Sequence, residues 1–389
     1  MKLLGLDYTD ISHAFSEEEL MVQKTVREFV DSELAPVIDD HFREGSFPFD
    51  FVKKFGELGL LGINLPTEYG CAGMSNLAYG LVCQELERCD SGIRSFVSVQ
   101  GSLVMYPIFA FGSDDQKNKY LPALASGEMI GCFGLTEPDY GSNPSGMITR
   151  ATKTTGGYLL NGAKMWITNG SIAHLAVVWA KTEDGKIHGF LVDTASEGFS
   201  APMMKNKWSL RASITSELIF NQVFVPEENM LPSVSGLKGP LSCLNQARYG
   251  IGWGTLGAAM AMYETALNYA KTRIQFDRPI AGFQLTQEKL VWMLTEITKA
   301  QLLALQVGKN KDSGTLRHQQ VSMLKRNNTW VARECAKLAR EILGANGISG
   351  EYPIMRHLMN IESVYTYEGT HDMHTLIMGE DITGTSAIR

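Results

Sequence analysis

The segment from residue 134 to residue 144 is dense in hydroxyl groups and glycines, a composition that suits ligand binding. It contains Thr136, Tyr140 and Ser142 together with Gly134 and Gly141. Such a loop can turn backbone N–H groups and side-chain hydroxyls toward an anionic or heteroaromatic ligand. An ordinary linker between two domains can have the same composition, so the loop by itself leaves both interpretations open.

Glu368 is the residue with the clearest acid–base potential. It lies between Tyr367 and Gly369, in a segment that also holds Val364 and Tyr365. These neighbours predict partial burial, and burial raises the pKa of a carboxyl group toward the value that a general base needs. The alternative interpretation is a solvated surface charge, which is the usual state of an isolated Glu.

Several other chemistries lack their sequence signature. There is no P-loop, no Gly-x-Gly-x-x-Gly after a strand pattern and no nucleophile elbow, which argues against the common nicotinamide and nucleoside-triphosphate sites. His371 and His374 lie three residues apart without a Cys or HExxH partner, so no metal site is predicted. There is no CxxC pair, and we predict reduced core thiols for Cys71, Cys83, Cys89, Cys132, Cys243 and Cys335.

Charge and hydropathy limit the partners and the location of the chain. The 35 Lys and Arg residues against 42 Asp and Glu give a net charge of −7, so no bulk positive field exists to bind nucleic acid. The longest uncharged run, residues 95–113, contains Gln100, Gly101 and Pro107 and is a poor membrane span. Residues 1–10 lack the features of a targeting segment, so we expect a cytoplasmic bacterial protein or a mature matrix form.

The elements that must position these residues follow three patterns. Ser16 and Glu19 form a capping box before an amphipathic helix that ends at Pro36, and further helical patterns follow at 51–61, 77–88 and 115–125. From about residue 131 the pattern changes to short β-rich runs at 158–160, 165–167, 175–180, 190–192 and 218–225. Long helical segments return after Pro240 and predict a helical bundle.

Turn signals separate the β-rich runs. Asp184-Gly185 predicts a hairpin, and Asn161-Gly162 and Asn169-Gly170 predict further tight turns. The three patterns divide the chain into an N-terminal α-helical domain at residues 1–130, a central β domain at 131–235 and a C-terminal helical domain at 236–389.

Four further segments accompany the loop at 134–144, in order along the chain. They read MWITNG from residue 165, RIQF from 273, GANG from 344 and YEGT from 367. Together the five segments resemble the acyl-CoA dehydrogenase family over essentially the whole chain. The resemblance implies an α+β fold with an N-terminal α-helical domain, a central β-barrel and a C-terminal four-helix bundle, which agrees with the pattern analysis.

The resemblance also implies a non-covalent FAD site that two subunits share. In the family the loop at 133–142 and residues 166–168 hold the isoalloxazine ring, with Thr168 near the flavin N5 atom. Residues around 273–284 and 341–345 come from a neighbouring subunit, which implies a homotetramer. The implied FAD contacts are Phe133, Leu135, Thr136, Gly141, Ser142, Trp166, Ile167, Thr168, Arg273, Phe276, Gln284, Glu341, Leu343, Gly344, Thr370 and Asp372.

The implied reaction is α,β-dehydrogenation of an acyl-CoA thioester, with Glu368 as the base and an electron-transferring flavoprotein as the acceptor. Residues 87–95, 243–250 and 366–372 are similar to those of family members that act on glutaryl-CoA, in which Arg94 meets the far carboxylate. A competing interpretation of Arg94 is a structural ion pair with Glu87 on one helix face. The implied substrate contacts are Glu87, Arg94, Ser95, Ser142, Leu244, Asn245, Arg248, Tyr367 and Gly369.

The outcome of the reaction and the substrate class stay open at the level of sequence. Glu87, Tyr367 and Glu368 match the members that also release CO₂ to give crotonyl-CoA, so we predict decarboxylation. Release of glutaconyl-CoA is a second possible outcome because the pocket differs from better-known members at Ile93, Phe96 and Gly101. Three more hypotheses concern the class of protein: a monocarboxylic acyl-CoA dehydrogenase, an oxygen-using acyl-CoA oxidase and a flavin-binding scaffold protein without catalysis.

Overall fold

The computed structural model describes residues 3–387, and its elements follow the predicted order of helices, strands and helices. The first helices are α1 (Glu17–Phe29), α2 (Ile38–Glu44), α3 (Phe51–Glu57), α4 (Asn76–Cys89), α5 (Ser91–Ser98), α6 (Tyr106–Phe111) and α7 (Asp114–Ser126). The strands of the central region are β1 (Gly131–Gly134), β2 (Arg150–Thr154), β3 (Gly157–Thr168), β4 (Leu175–Lys181), β5 (Ile187–Asp193), β6 (Phe199–Ser200) and β7 (Thr215–Pro226). The last region consists of α8 (Lys238–Thr272), the strand pair β8 (Ile274–Gln275) and β9 (Arg278–Pro279), α9 (Gln284–Asp312), α10 (His318–Leu343), α11 (Ile354–Thr366) and α12 (His371–Thr383).

The predicted capping box at the start of α1 is confirmed. The Ser16 hydroxyl accepts from the Glu19 N–H at 3.1 Å, and the Glu19 carboxylate accepts from the Ser16 N–H at 2.8 Å. Glu19 also accepts from the hydroxyl of Ser75, the residue that caps α4, at 2.6 Å. The local capping signal therefore also joins α1 to the helix that carries Glu87.

Within the described residues the central strands form one curled seven-stranded sheet, in the order β1-β4-β2-β3-β7-β6, with β5 on β4. The hairpin predicted at Asp184-Gly185 is confirmed, because it joins the antiparallel strands β4 and β5 and Gly185 has a φ of 76°. The turn predicted at Asn161-Gly162 is wrong. These residues lie inside β3 at a bulge, where the Asn161 side chain accepts from the Gln222 N–H of β7 at 3.0 Å and Gly162 leaves room for Thr149.

The long helix α8 packs closely against α4 because glycines line the contact. A Cβ atom at Gly257 would overlap the carbonyl oxygen of Gln84, and one at Gly254 would overlap the Glu87 carboxylate. Gly80 on α4 lies in the same way against the Trp253 ring. This close approach brings the N-terminal helices and the C-terminal bundle into one continuous core.

Three further expectations concern residue environments. The six cysteines are free and buried, which confirms the prediction of core thiols. Within residues 3–387 no helix is long and apolar enough to cross a membrane, and the uncharged run at 95–113 is instead built from α5, a π-helical stretch and α6. In the same part of the chain no cluster of His, Cys, Asp and Glu is arranged to hold a metal ion.

Candidate active site

Glu368 lies in a tight turn between α11 and α12. Helix α11 ends at Thr366, and the Thr370 hydroxyl caps α12 by accepting from the Met373 N–H at 3.1 Å. Between these ends Glu368 has a φ of 54° and Gly369 a φ of 96°. A left-handed backbone is uncommon for a residue with a side chain and persists where surrounding contacts fix it, so the turn is a candidate functional site.

The Glu368 side chain is half-buried at this turn. Its Oε2 atom is buried without a partner among the described residues. Burial raises the pKa of Glu368 to about 7, although the charges of Arg94, Arg248 and Lys325 each lower it. The partial burial predicted from the sequence is therefore observed, and the surface-charge interpretation is wrong.

Arg94 is the centre of a buried polar group beside this turn. Its Nε donates to Glu87 Oε2 at 2.6 Å, its Nη2 donates to the Tyr367 hydroxyl, and the Ser91 hydroxyl donates to Glu87 Oε1 at 2.8 Å. Both charged side chains are at most 1% exposed. Burial raises the pKa of Glu87, and its contacts with Arg94 and Ser91 oppose that rise.

The ion pair between Arg94 and Glu87 exists, but the two residues do not share a helix. Glu87 lies on α4 and Arg94 on α5, because Asp90 between them has an extended backbone and caps α5 through the Gly92 N–H at 2.6 Å. The expectation of one helix face is therefore wrong. Ser95 follows Arg94 on α5 and is also buried.

Helix α8 contributes a second arginine to the turn. Arg248 Nε donates to the Glu368 carbonyl oxygen at 2.7 Å, and Arg248 Nη1 donates to Asn245 at 3.2 Å. The φ of 96° at Gly369 favours glycine, and a Cβ atom there would lie 3.0 Å from His374 Nε2 and 3.3 Å from Arg248 Nη2. Leu244 is half-buried next to Asn245, one helical turn from Arg248.

The hydroxyl-rich loop joins the end of strand β3. The Thr136 carbonyl oxygen accepts from the Met165 N–H at 2.8 Å, which places Thr136 beside the predicted residues 166–168. Trp166 has a φ of 64° and is 61% exposed, so this large aromatic side chain does not belong to the core. Phe133, Leu135 and Ile167 are buried, Thr136 and Thr168 are half-buried, and Gly141 and Ser142 are exposed.

A buried ion pair that sequence reasoning missed holds this loop in place. The Glu137 carboxylate accepts from the N–H groups of Ile148 and Thr149 at 2.6 and 2.9 Å and from Lys164 Nζ at 2.9 Å. Lys164 also donates to the Leu135 carbonyl oxygen at 3.1 Å. The available signal was a lysine at an inward-facing position of a strand, which requires a buried partner.

The remaining predicted cofactor residues lie around the β8–β9 hairpin, at the start of α12 and at the end of α10. Arg273, Leu343 and Gly344 line one cleft of about 300 Å³ between the hairpin and α10. Phe276 and Gln284 are exposed, and Glu341 pairs with Lys289 at 2.7 Å. Thr370 caps α12 and Asp372 lies in its first turn, close to Glu368 in the chain.

Comparison with known protein families identifies the family to which the chain belongs. Three domain profiles match in order: the acyl-CoA dehydrogenase N-terminal domain at residues 16–128, the middle domain at 132–223 and the C-terminal domain at 235–383. The chain belongs to the acyl-CoA dehydrogenase family. It is therefore an oxidoreductase of a family that is FAD-dependent, in agreement with the fold class and the cofactor predicted from the sequence.

Individual members of the acyl-CoA dehydrogenase family resemble the chain along its length. A glutaryl-CoA dehydrogenase structure from Mycobacterium smegmatis is 55% identical with a TM-score of 0.95, and the match covers 97% of this chain and 99% of that one. A second glutaryl-CoA dehydrogenase structure from M. smegmatis, in complex with FADH2, is 49% identical with a TM-score of 0.97 and full coverage of both chains. An acyl-CoA dehydrogenase of Bacillus subtilis (strain 168) is 37% identical over 374 residues, 95% of this chain and 99% of the relative.

The Lys164–Glu137 pair yields a stability prediction. Lys164→Met leaves a buried carboxylate without its cation, so the free energy of unfolding should fall by about 3–5 kcal/mol. Lys153→Met is the matched control, because Lys153 in the same sheet pairs with Glu227 while their side chains are 42% and 62% exposed. Exposed pairs contribute about 0–1 kcal/mol. Urea unfolding measures the free energy of unfolding of both variants. Equal losses in the two variants would contradict the role of Lys164–Glu137 as a stabilising buried ion pair.

Proposed function

We propose that this acyl-CoA dehydrogenase acts on glutaryl-CoA, with Glu368 as the base that removes the α-proton. The observation that carries this role is the Glu368 carboxyl group, whose Oε2 is buried without a hydrogen-bond partner among the described residues and whose pKa burial raises to about 7. A carboxyl group with that pKa is partly ionised at neutral pH and can accept a proton from carbon. The two similar glutaryl-CoA dehydrogenases support the choice of substrate class.

The turn also supplies a group for the thioester oxygen. Removal of an α-proton puts negative charge on that oxygen, which needs preorganised donors. The Glu368 N–H donates to no acceptor within residues 3–387, so it is available for this role. Arg248 holds the same residue by its carbonyl oxygen, and this contact fixes the direction of the peptide.

The face formed by the loop and the end of β3 fits an FAD ring. An aromatic side chain, Trp166, stands 61% exposed at a left-handed backbone position beside the half-buried hydroxyl residues Thr136 and Thr168. A bound FAD would supply the acceptor for a hydride from the substrate β-carbon. We assign to a non-covalent FAD ring the residues Phe133, Leu135, Thr136, Gly141, Ser142, Trp166, Ile167 and Thr168, with Thr370 and Asp372 at the start of α12.

We assign the hairpin region to a cofactor site completed by a second subunit. Ile274, Phe276 and Leu285 are 52%, 87% and 78% exposed, and a group of exposed apolar side chains is typical of an interaction surface. Contacts from this region would involve Arg273, Phe276, Gln284, Glu341, Leu343 and Gly344. A homotetramer follows as the proposed assembly, and an electron-transferring flavoprotein as the proposed acceptor, both on the family resemblance.

Arg94 is the proposed partner of the far carboxylate of glutaryl-CoA. Its Nε contacts Glu87 and its Nη2 contacts Tyr367, whereas Nη1 donates to no acceptor within residues 3–387. The free N–H groups suit a carboxylate, and an alkyl tail would leave them without an acceptor. We assign Ser95, Ser142, Leu244, Asn245 and Gly369 to the remaining contacts with the thioester.

The ion pair itself favours a second candidate, a dehydrogenase of short monocarboxylic acyl-CoA thioesters. Glu87 already neutralises Arg94 without a substrate, and the pair joins α4 to α5. If this candidate is correct, Arg94 has a structural role, and a far carboxylate on the substrate does not increase kcat/KM. The two candidates differ in their relative rates on glutaryl-CoA and butyryl-CoA.

We further propose that dehydrogenation is followed by loss of CO₂. Decarboxylation requires a γ-carboxylate that is held but not strongly stabilised as an anion. Glu87 and the Tyr367 hydroxyl both contact Arg94 and so weaken its hold on that carboxylate. Glu368, protonated in the first step, can return its proton to the γ-carbon.

Removal of the base should nearly abolish turnover. Glu368→Gln is expected to reduce the rate of anaerobic flavin reduction by substrate to below about one hundredth of wild type, because a positioned base contributes about 10²–10⁴-fold. Glu362→Gln is the control, since Glu362 lies exposed on α11 and pairs with Arg333 at 2.7 Å. A Glu368→Gln rate above that limit would assign proton removal to another group.

Arg94→Gln should weaken kcat/KM for glutaryl-CoA by the equivalent of about 2–5 kcal/mol, as expected when one member of a buried charge pair is removed. The rate on butyryl-CoA should fall much less. Because the change leaves Glu87 unpaired, Glu87→Gln/Arg94→Gln serves as the control that removes both charges. Equal kcat/KM values for the two substrates in wild type would favour the monocarboxylic candidate.

The products test the decarboxylation step separately. Incubation of the holoenzyme with glutaryl-CoA and an artificial electron acceptor should yield crotonyl-CoA, measured by chromatographic separation of the thioesters. Accumulation of glutaconyl-CoA without crotonyl-CoA would contradict decarboxylation and leave the dehydrogenase proposal intact.

A further inference from the structure

Lys325 is a fully buried lysine on α10 that faces the turn of Glu368. Its side chain has no exposed surface, and Nζ donates to the Gly369 carbonyl oxygen at 2.8 Å and to the Tyr365 carbonyl oxygen at 3.3 Å. No carboxylate within the described residues forms an ion pair with it at 4.0 Å or less. A buried ammonium group is costly without a partner, so its position calls for an explanation.

The two acceptors of Lys325 bracket the proposed base. Tyr365 lies in the last turn of α11, where carbonyl oxygens lack helical partners, and Gly369 follows Glu368 directly. Arg248 of α8 holds the intervening carbonyl oxygen of Glu368 at 2.7 Å. Lys325 and Arg248, which lie on different helices, thus donate to the carbonyl oxygens of two consecutive residues. These residues are Glu368 and Gly369, whose φ values are 54° and 96°.

Three helices each contribute a positive side chain that acts on Glu368. Arg94 on α5, Arg248 on α8 and Lys325 on α10 are positive, while Glu87 on α4 is negative and pairs with Arg94. Tyr367 adjoins Glu368, and burial lowers the pKa of His374 on α12 to about 2, so both stay neutral near pH 7. Burial lowers the pKa of Lys325 to about 7, which Glu368 opposes, so the lysine and the glutamate each favour the charged form of the other.

We propose that Lys325 is a positioning residue for Glu368: its ammonium group fixes the turn through the carbonyl oxygens on both sides and supplies a buried positive charge that favours the ionised carboxylate. This inference rests on the proposed role of Glu368 as the base. A simpler role for Lys325 is a cap for the end of α11, which lysines often provide. That role affects stability but not the ionisation of the base.

Two substitutions separate the hydrogen bonds from the charge. Lys325→Met removes both, whereas Lys325→Gln keeps two N–H donors for the same carbonyl oxygens. The measurement is the pH dependence of the anaerobic flavin reduction rate of the FAD-loaded enzyme with glutaryl-CoA or butyryl-CoA, whichever reacts faster. Because a base acts when deprotonated, the rate rises as pH passes through the pKa of Glu368.

In both variants the flavin reduction rate should rise at a pH about one unit higher than in wild type, since a nearby opposite charge changes a carboxyl pKa by about 1–3 units. The rate below the wild-type midpoint should therefore fall by about tenfold. At high pH Lys325→Gln should approach the wild-type rate and Lys325→Met should stay below it, because its turn is no longer held. Where Lys325→Met does not fold, Lys325→Gln decides the test.

Lys207→Met is the matched control, because Lys207 donates to the carbonyl oxygens of Ser209, Leu210 and Ser213 and does not act on Glu368. It should lower the melting temperature without moving the pH profile. An unchanged profile in folded Lys325→Gln would overturn the inference and leave Glu368 as the base. Retained activity in Glu368→Gln would instead refute the proposed base, so the two failures are distinguishable.

Discussion

A carboxyl group with an oxygen that is buried without a hydrogen-bond partner is unstable as an anion unless nearby charges compensate for the lost water. Glu368 is such a group, and the compensation comes from Arg94 on α5, Arg248 on α8 and Lys325 on α10. The balance leaves its pKa at about 7, where both protonation states are accessible. Since these helices come from both the first and the last third of the chain, the whole helical core must hold them in fixed relation.

Two kinds of contact hold these helices in a fixed relation to one another. Glycines on α8 allow α4 to approach so closely that the Glu87 carboxylate lies against Gly254. Buried Asp90 caps α5 and also accepts from Arg356 and Asn360 of α11, each at 2.8 Å. Asp90 therefore fixes the helix that carries Arg94 to the helix that ends in the Glu368 turn, and the distance between the proposed base and the proposed carboxylate partner depends on both contacts.

The sheet positions its part of the site by a separate buried ion pair. Glu137 and Lys164 hold the hydroxyl-rich loop against β3, and the Met165–Thr136 hydrogen bond continues this attachment to the exposed Trp166. The sheet thus presents a rigid face that is independent of the charges around Glu368. The arrangement separates the proposed cofactor face from the proposed base, each with its own buried ionic support.

The sequence by itself determined the features that depend on near neighbours along the chain. These include the capping box at Ser16, the hairpin at Asp184-Gly185, the order of helical and β-rich regions and the segments that identified the family, because propensity, capping and turn chemistry act over a few residues. The turn at Asn161-Gly162 failed because a contact with Gln222 on another strand overrode the local signal.

The tertiary structure decided the environment of each charge. The pair of Glu87 and Arg94 lies across two helices, Trp166 is exposed, and Lys325 contacts the Glu368 turn from a position 43 residues earlier in the chain. Burial and pKa depend on groups brought together by packing, and no local pattern encodes those distances.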